Sequence, residues 1–113
     1  MATVHSKGEK LITMLFSTQH RGRLFAYKNG LFKMANSDNL IKVGVKGVPD
    51  LIGFTFPNIA TFVEVKTLAY RYLSKEQKAF MKYTASNGCI CIVYREQLDT
   101  SWKEFRHGEK GFF

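Results

Sequence analysis

The sequence predicts an α/β fold in which a mixed central β-sheet is flanked by helices, in the order α-β-β-β-α-β. Two segments carry apolar residues at helical spacing behind N-cap signals, and strand-like stretches rich in β-branched and aromatic residues lie between them. A stretch that is apolar on both faces follows the second helix, as expected for a buried parallel strand. The 113 residues suffice for a single domain, residues 1–113, with a modest core.

The first helix is expected over residues 6–19. Ser6 and Glu9 have the spacing of a capping box, and apolar residues recur on one face behind them. Glu9 shares its flank with Ile12 and Phe16, so two arrangements are open for it: it closes the capping box, or it points inward.

The next segment is predicted to hold a strand at residues 24–27 and then a tight turn at Lys28-Asn29-Gly30, from which residues 31–34 return as a hairpin. Residues 40–47 are basic and punctuated by glycine, with Lys42 and Lys46 shortly before Asp50. This stretch is interpreted as a loop on the substrate side, with an ordinary connector as the alternative.

A second predicted hairpin carries three charged residues among apolar ones. Residues 47–54 and 61–66 have strand composition, and the chain between them is short enough for a hairpin turn. Side chains alternate across a strand, so Glu64 and Lys66 project from the same face. Pairing of the two strands would bring Asp50 beside Glu64.

These three side chains form a candidate metal site. Two carboxylates at bonding distance repel each other unless a cation lies between them, and oxygen ligands suit a hard ion such as magnesium or manganese. So short a triplet recurs by chance in many proteins. The alternative is therefore a strand-surface ion pair, Glu64 with Lys66, and a turn residue, Asp50.

The segment after Lys66 contains Tyr70, Arg71 and Tyr72, which either contact nucleic acid or pack in the core. A second capping box, from Ser74 to Gln77, opens a helix that is expected to reach about residue 87 and to end at Gly88. Gln77 lies on the inward face of this helix, where its side-chain amide needs a hydrogen-bond partner, and the cap offers one. Lysines gather on the other side, as a solvated face or as a stripe that contacts a nucleic-acid backbone; they are Lys75, Lys78 and Lys82.

Residues 89–94 are predicted to form a buried strand parallel to the strand of Glu64. A short last helix is expected over residues 101–106, with a capping box of its own. The terminal Phe112 and Phe113 either close the core or serve a dimer contact. The cysteines, Cys89 and Cys91, are interpreted as structural thiols, because a disulfide between them would be strained.

Composition and charge restrict the class of protein. Lys and Arg total 17 against nine acidic residues, a net charge of +8 that favours a polyanionic partner over mere solubility. No apolar run approaches the length of a membrane span, so no membrane association is expected. The first ten residues contain no apolar signal region, and a reducing, cytoplasmic location is expected.

Taken together, the Pro49-Asp50, Glu64-x-Lys66 and Gln77 pattern and its surroundings resemble the PD-(D/E)xK nuclease superfamily, in particular its VRR-NUC branch, the virus-type replication-repair nucleases. The chain is most similar to the stand-alone, phage-like form. The resemblance covers most of the sequence and implies a restriction-endonuclease-like core. The bulky, aromatic stretch after Lys66 departs from the glycine- or proline-bearing loop that is usual in the family.

The resemblance also implies roles for individual residues. Asp50, Glu64 and the backbone carbonyl of Val65 would hold Mg²⁺ or Mn²⁺, with Glu9 as a further ligand through water. Lys66 would act in catalysis. Gln77 would form a hydrogen bond with the charged cluster or with the attacking water. Lys28 and Asn29 would contact the substrate; the alternative for these two residues is a solvated hairpin.

The expected function is that of a metal-dependent DNA endonuclease that hydrolyses phosphodiester bonds. Stand-alone members of the family resemble Holliday-junction resolvases, so a homodimer acting on branched or junction DNA in replication, recombination or repair is expected. Two alternatives remain: a sequence-specific restriction-type endonuclease, and a catalytically inert basic module that binds nucleic acid.

Overall fold

The structure is a computed structural model that describes residues 4–27, 30–33, 40–43 and 47–113, with the side chains of residues 7–27 and 47–113. Nine helices and strands lie in these ranges. In chain order they are α1 (Val4–Gln19), β1 (Gly22–Ala26), β2 (Gly30–Lys33), β3 (Leu40–Val43), β4 (Leu51–Thr55), β5 (Ile59–Lys66), α2 (Lys75–Ser86), β6 (Ile90–Glu96) and β7 (Trp102–Arg106).

A five-stranded mixed sheet forms the centre, in the order β1-β4-β5-β6-β7, and β2 pairs with β3 in a separate two-stranded sheet. The pairs β1–β4, β4–β5 and β6–β7 are antiparallel, whereas β5 and β6 run parallel on either side of α2 in the chain. The α/β prediction is confirmed. The expected order α-β-β-β-α-β corresponds to α1, β1, β4, β5, α2 and β6.

The predicted β4–β5 hairpin sets the position of the candidate site. Leu51 pairs with Val63 and Ile52 with Phe62, in antiparallel register. Extending that register by one residue places Asp50, which directly precedes β4, opposite Glu64. The short connection at Pro57 and the alternation of side chains therefore suffice to bring these two carboxyl groups to the same face of the sheet.

The two helices cover opposite faces of the sheet. On one face, Ile12 and Phe16 of α1 are fully buried against Val63 and Val65 of β5. On the other face, Met81 of α2 packs with residues that alternate with the first set along the strands; this second cluster comprises Leu73, Met81, Cys91, Val93 and Phe112. Glu64 and Lys66 follow the second parity and project from the face that α2 covers.

The first helix and the following segment differ from the predictions. The helix begins at Val4, so Ser6 lies inside it and the predicted capping box with Glu9 is wrong. Residues 31–33 do not return onto β1, and residue 34 lies outside the described residues: β2 pairs with β3, and β1 pairs with β4. The stretch interpreted as a loop therefore contains a strand, because its apolar residues find a hairpin partner in β2. Of the predicted contact residues, Lys28, Asn29 and Lys46 lie outside the described residues, as does the side chain of Lys42.

The predicted last helix is wrong as well, since residues 102–106 form strand β7. Its capping signal is used by a turn instead: the Ser101 amide and hydroxyl both donate to Asp99 Oδ1, at 3.1 and 2.6 Å. The Gln97 amide donates to the Ser101 carbonyl at 2.8 Å, which closes a tight hairpin. Strand β7 then pairs with β6 as the fifth strand of the sheet, and its side chains Trp102, Glu104 and Phe105 are partly buried.

The remaining expectations concern the two C-terminal phenylalanines, the two cysteines and membrane spans. Phe112 is 1% exposed and closes the second cluster, whereas Phe113 is 55% exposed. Cys89 and Cys91 are free thiols, with Cys91 buried. Within the described ranges, neither helix has the length and apolar character needed to cross a bilayer.

Candidate active site

Asp50 is fixed at the start of β4 by contacts on two sides. Its carbonyl oxygen accepts from the Tyr27 amide at 2.7 Å, and its Oδ2 accepts from the Val65 amide at 3.1 Å. Just before it, Gly47 has a φ of 92°, and a Cβ there would lie 2.5 Å from the carbonyl oxygen of Glu76. Only glycine allows the chain to pass so closely under α2.

Glu64 lies in the middle strand of the sheet and is 2% exposed. Its Oε1 is 3.9 Å from the Lys66 ammonium, whose side chain is 11% exposed. Within the described part of the chain, Glu64 Oε2 is the buried side-chain oxygen that has no hydrogen-bond partner. Buried polar atoms normally form hydrogen bonds. A buried oxygen without a partner in the protein therefore indicates a bound group that the protein itself does not supply.

The electrostatic environment of Glu64 favours its neutral form in the absence of other charges. Burial raises the pKa of Glu64 far above its ordinary value, and the Asp50 carboxyl raises it further by hydrogen bonding and by repulsion. The Lys66 ammonium opposes these effects but does not outweigh them. A cation placed between the two carboxyl groups would take over the role of the proton.

The donor set therefore fits a hard divalent cation. Asp50 and Glu64 supply carboxylate oxygens, one of them buried and without a partner, and such oxygens are the usual ligands of Mg²⁺ and Mn²⁺. Lys66 lies beside this pair without removing the need for a cation. Of the predicted site residues, these three are the ones that the fold brings together.

Glu9 does not join them as a third direct ligand. Among the residues that the structure describes, no three His, Cys, Asp or Glu side chains gather closely enough to hold a metal ion. Glu9 is half-buried in α1, which packs on the Val65 face of the sheet, whereas Glu64 projects from the other face. Binding through water stays a prediction, as does the contribution of the Val65 carbonyl.

Gln77 serves as a helix cap. Its Oε1 accepts from the Ser74 backbone amide at 2.8 Å, while the Gln77 backbone amide donates to Ser74 Oγ at 3.0 Å. The capping box that was the alternative role for Gln77 is thus present, and the expected contact of its amide oxygen with the cluster is replaced by this bond. The reason is local: at the third position of the helix, the side chain reaches the N-cap backbone without any tertiary contact.

The predicted nucleic-acid contacts that the structure describes all lie at the surface. Arg71, Lys75 and Lys78 are exposed, and Tyr70 and Tyr72 are 74% and 81% exposed. The alternative that the two tyrosines pack in the core is therefore wrong. These side chains are available to a partner.

Sequence reasoning missed Arg95, because the predicted buried strand ended at residue 94. The structure places it in β6, opposite Lys66 in the parallel register. Its guanidinium donates to the carbonyls of Arg71, Gly111 and Phe112. Continuing the parallel register of β5 and β6 by one residue beyond Tyr94 would have placed Arg95 next to the site.

The chain is also similar to a known family of protein domains. Residues 8–97 match the family model of the VRR-NUC domain, and this match covers most of the chain. It includes Asp50, Glu64, Lys66 and the whole of α2, and it ends after β6. A comparison with curated proteins gives no match. Because the family model spans well over half of the sequence, the chain belongs to the VRR-NUC domain family.

Proposed function

We propose that this protein is a divalent-metal-dependent DNA endonuclease whose active site consists of Asp50, Glu64 and Lys66. Membership of the VRR-NUC family implies a nuclease of the PD-(D/E)xK type. The observation that carries the proposal is the buried Glu64 Oε2, which has no hydrogen-bond partner within the described residues and lies in a strand next to Asp50. Mg²⁺ and Mn²⁺ are the cations that suit these ligands.

Asp50 and Glu64 would hold the cation, with the Val65 carbonyl as an additional donor. When bound, the cation polarises the scissile phosphate and lowers the pKa of a nearby water. The hairpin register fixes the two carboxyl groups before substrate arrives, so little reorganisation is needed during the reaction.

Lys66 supplies the remaining positive charge. Its ammonium lies 3.9 Å from Glu64 Oε1 and has an exposed fraction of 11%, so it reaches the site with little competition from solvent. There it orients the attacking water and stabilises the negative charge that develops on the phosphate oxygens. A compact ammonium suits this role better than a planar guanidinium does.

The substrate is proposed to be branched or Holliday-junction-like DNA, processed in the cytoplasm during replication, recombination or repair. The net charge of +8 supports a polyanionic substrate. One site cuts one strand, so cleavage of two strands of a junction calls for two copies, and a homodimer is the simplest such assembly. Sedimentation velocity tests this directly: a monomer that retains full activity on junctions would contradict the homodimer.

The test of the chemistry is cleavage of end-labelled DNA with Mg²⁺, with Mn²⁺ and with EDTA. Lys66→Met should lower the cleavage rate by about 100-fold or more, and Asp50→Asn should do so too, while both variants retain DNA binding. Lys110→Met is the matched control, because Lys110 is an exposed lysine near the C-terminus. Undiminished cleavage by Lys66→Met or by Asp50→Asn would contradict the assignment.

The same assay should be run on single-stranded, linear duplex, flapped and four-way DNA. Preference for the branched substrates is the expected result. Cleavage at one short sequence in linear duplex would favour the restriction-type alternative. DNA binding without any metal-dependent cleavage would favour the inert binding module, in which Glu64 and Lys66 are only an ion pair.

A further inference from the structure

A cavity of about 440 Å³ lies beside the candidate active site, at the carboxyl ends of β5 and β6. These strands are parallel neighbours, so both end at the same edge of the sheet. Lys66 lines the cavity, and its ammonium also lies 3.9 Å from Glu64 Oε1, so the cavity borders the proposed reaction centre. Crevices at the carboxyl ends of strands are common ligand sites in α/β proteins.

Arg95 organises one wall of this cavity. Its Nε donates to the Gly111 carbonyl at 3.0 Å and its Nη2 to the Phe112 carbonyl at 2.8 Å, while Nη1 donates to the Arg71 carbonyl. The guanidinium thus ties the loop after β5 and the C-terminal tail to β6. Because its partners are neutral carbonyls, its positive charge is not cancelled by these contacts.

The cavity has an excess of positive charge. Burial, and then the neighbouring Arg71 guanidinium, lowers the pKa of Arg95. In the described part of the chain, neither arginine forms an ion pair with a carboxylate, and Glu96 is the acidic residue of the lining. Its Oε1 accepts from the Leu68 amide at 3.1 Å. The two arginines thus face one carboxylate, and Lys66, which also lies beside Glu64, adds a third cation to the lining, an arrangement that favours an anionic ligand.

The rest of the lining offers apolar and aromatic surface. Tyr72 is 81% exposed and Phe113 is 55% exposed, and both line the cavity together with the arginines. Exposed aromatic rings beside cationic side chains form the usual platform on which an unpaired base stacks while its phosphate is bound. The cavity volume lies in the range of small-ligand pockets, which is too small to admit a paired duplex.

We propose that this cavity binds one unpaired nucleotide of the DNA substrate next to the scissile phosphate. Its phosphate would lie on Arg71 and Arg95, and its base would stack on Tyr72 and Phe113. This inference rests on the proposed nuclease function and names the feature of the substrate that the site selects. Branched DNA presents such a nucleotide where a flap or an opened branch point leaves a base unpaired, whereas a continuous duplex does not.

The test is the binding of a fluorescent single-stranded oligothymidylate in EDTA, measured by anisotropy, so that no cleavage occurs. Arg71→Ala and Tyr72→Ala should weaken binding by about 5- to 100-fold, the range expected for loss of one phosphate contact or one base stack. Tyr72→Phe keeps the ring and should bind as the wild type does. The matched controls are Tyr83→Ala and Arg106→Ala, which remove exposed residues outside the cavity.

An abasic oligonucleotide of the same length separates the two parts of the proposal. Tyr72→Ala should not weaken its binding, because it has no base to stack, whereas Arg71→Ala should. Thymidine monophosphate should in addition shift the NMR amide signals of Thr67, Leu68 and Gln97, which line the cavity. Wild-type affinity of both Arg71→Ala and Tyr72→Ala for the oligothymidylate, with unshifted signals, would overturn the proposal.

Failure of this inference can be told apart from failure of the nuclease proposal. If Arg71→Ala and Tyr72→Ala lose binding but the wild type never cuts DNA, the cavity stands and the nuclease proposal fails. If the wild type cuts DNA and these variants keep full affinity and full preference for branched substrates, the nuclease proposal stands and the cavity fails.

Discussion

Glu64 brings a carboxyl group into the middle of a five-stranded sheet, with Asp50 across the hairpin and Lys66 two residues further along the same strand. Burial alone would favour replacement of such a residue by an apolar one. The unpartnered Oε2 and the adjacent second carboxyl group instead match a site that becomes complete when a cation binds. At the residue scale, the proposed function explains this loss of stability, because it gives Glu64 the role of a preorganised metal ligand.

The burial of Glu64 predicts how the stability of the metal-free protein depends on pH. The pKa of Glu64 is raised in the folded protein, chiefly by burial, so above about pH 4.5 the unfolded chain loses its proton while the folded protein keeps it. The contribution of Glu64 to the stability of the metal-free protein should therefore be greatest below about pH 4.5 and should fall as pH rises above that value. Thermal unfolding in EDTA at about pH 5 and about pH 8 measures the effect.

Glu64→Gln is the control for this prediction, because it keeps the shape of the side chain and removes the titration. The wild type minus variant difference cancels the contributions of other titrating groups. The variant should lose less stability than the wild type between the two pH values. Equal losses would show that Glu64 is ionised in the metal-free protein.

At the element scale, helix α2 connects the two parallel strands and caps itself. Ser74 and Gln77 satisfy each other's backbone amides, which fixes where the helix begins below the site. Gln77→Ala should therefore lower the free energy of unfolding by about 1 kcal/mol, the usual effect of losing a cap. Urea denaturation measures this loss.

The cleavage rate of Gln77→Ala then decides between the two roles of this residue. A capping role predicts that the rate at saturating DNA falls by less than a few-fold and that Ser74→Ala, which removes the same cap, behaves alike. A loss in Gln77→Ala as large as that in Lys66→Met, with Ser74→Ala unaffected, would return Gln77 to the catalytic set.

The same elements show which features were predictable from sequence. The β4–β5 hairpin and the approach of Asp50 to Glu64 followed from strand alternation and a short turn, both of which are local signals. Strand β7 was missed because Ser101 and Glu104 match a capping box, while the Asp99 turn that uses the Ser101 hydroxyl depends on pairing with β6. Arg95 was missed for a similar reason, since its three carbonyl partners come from distant segments.

At the scale of the whole molecule, the parallel register of β5 and β6 places the candidate metal ligands and the basic cavity at the same edge of the sheet. The net charge of +8 on a small chain attracts phosphates to the protein surface as a whole. The proposed role of the cavity beside Lys66 is to select an unpaired nucleotide at one place on that surface. The adjacent carboxyl groups of Asp50 and Glu64 would repel a phosphate, and a cation bound between them would remove this repulsion.

The most direct test of a shared cation site at Asp50 and Glu64 is a titration of the protein with Mn²⁺ that is monitored by electron paramagnetic resonance. The signal of free Mn²⁺ decreases as the ion binds to the protein. Wild-type protein should bind Mn²⁺, and both Asp50→Asn and Glu64→Gln should weaken that binding by more than about tenfold, because each removes a ligand. Glu104→Gln, a partly buried carboxyl on another strand, should bind as the wild type does. Unchanged Mn²⁺ binding by Asp50→Asn and Glu64→Gln would contradict the proposal that these two residues share a cation.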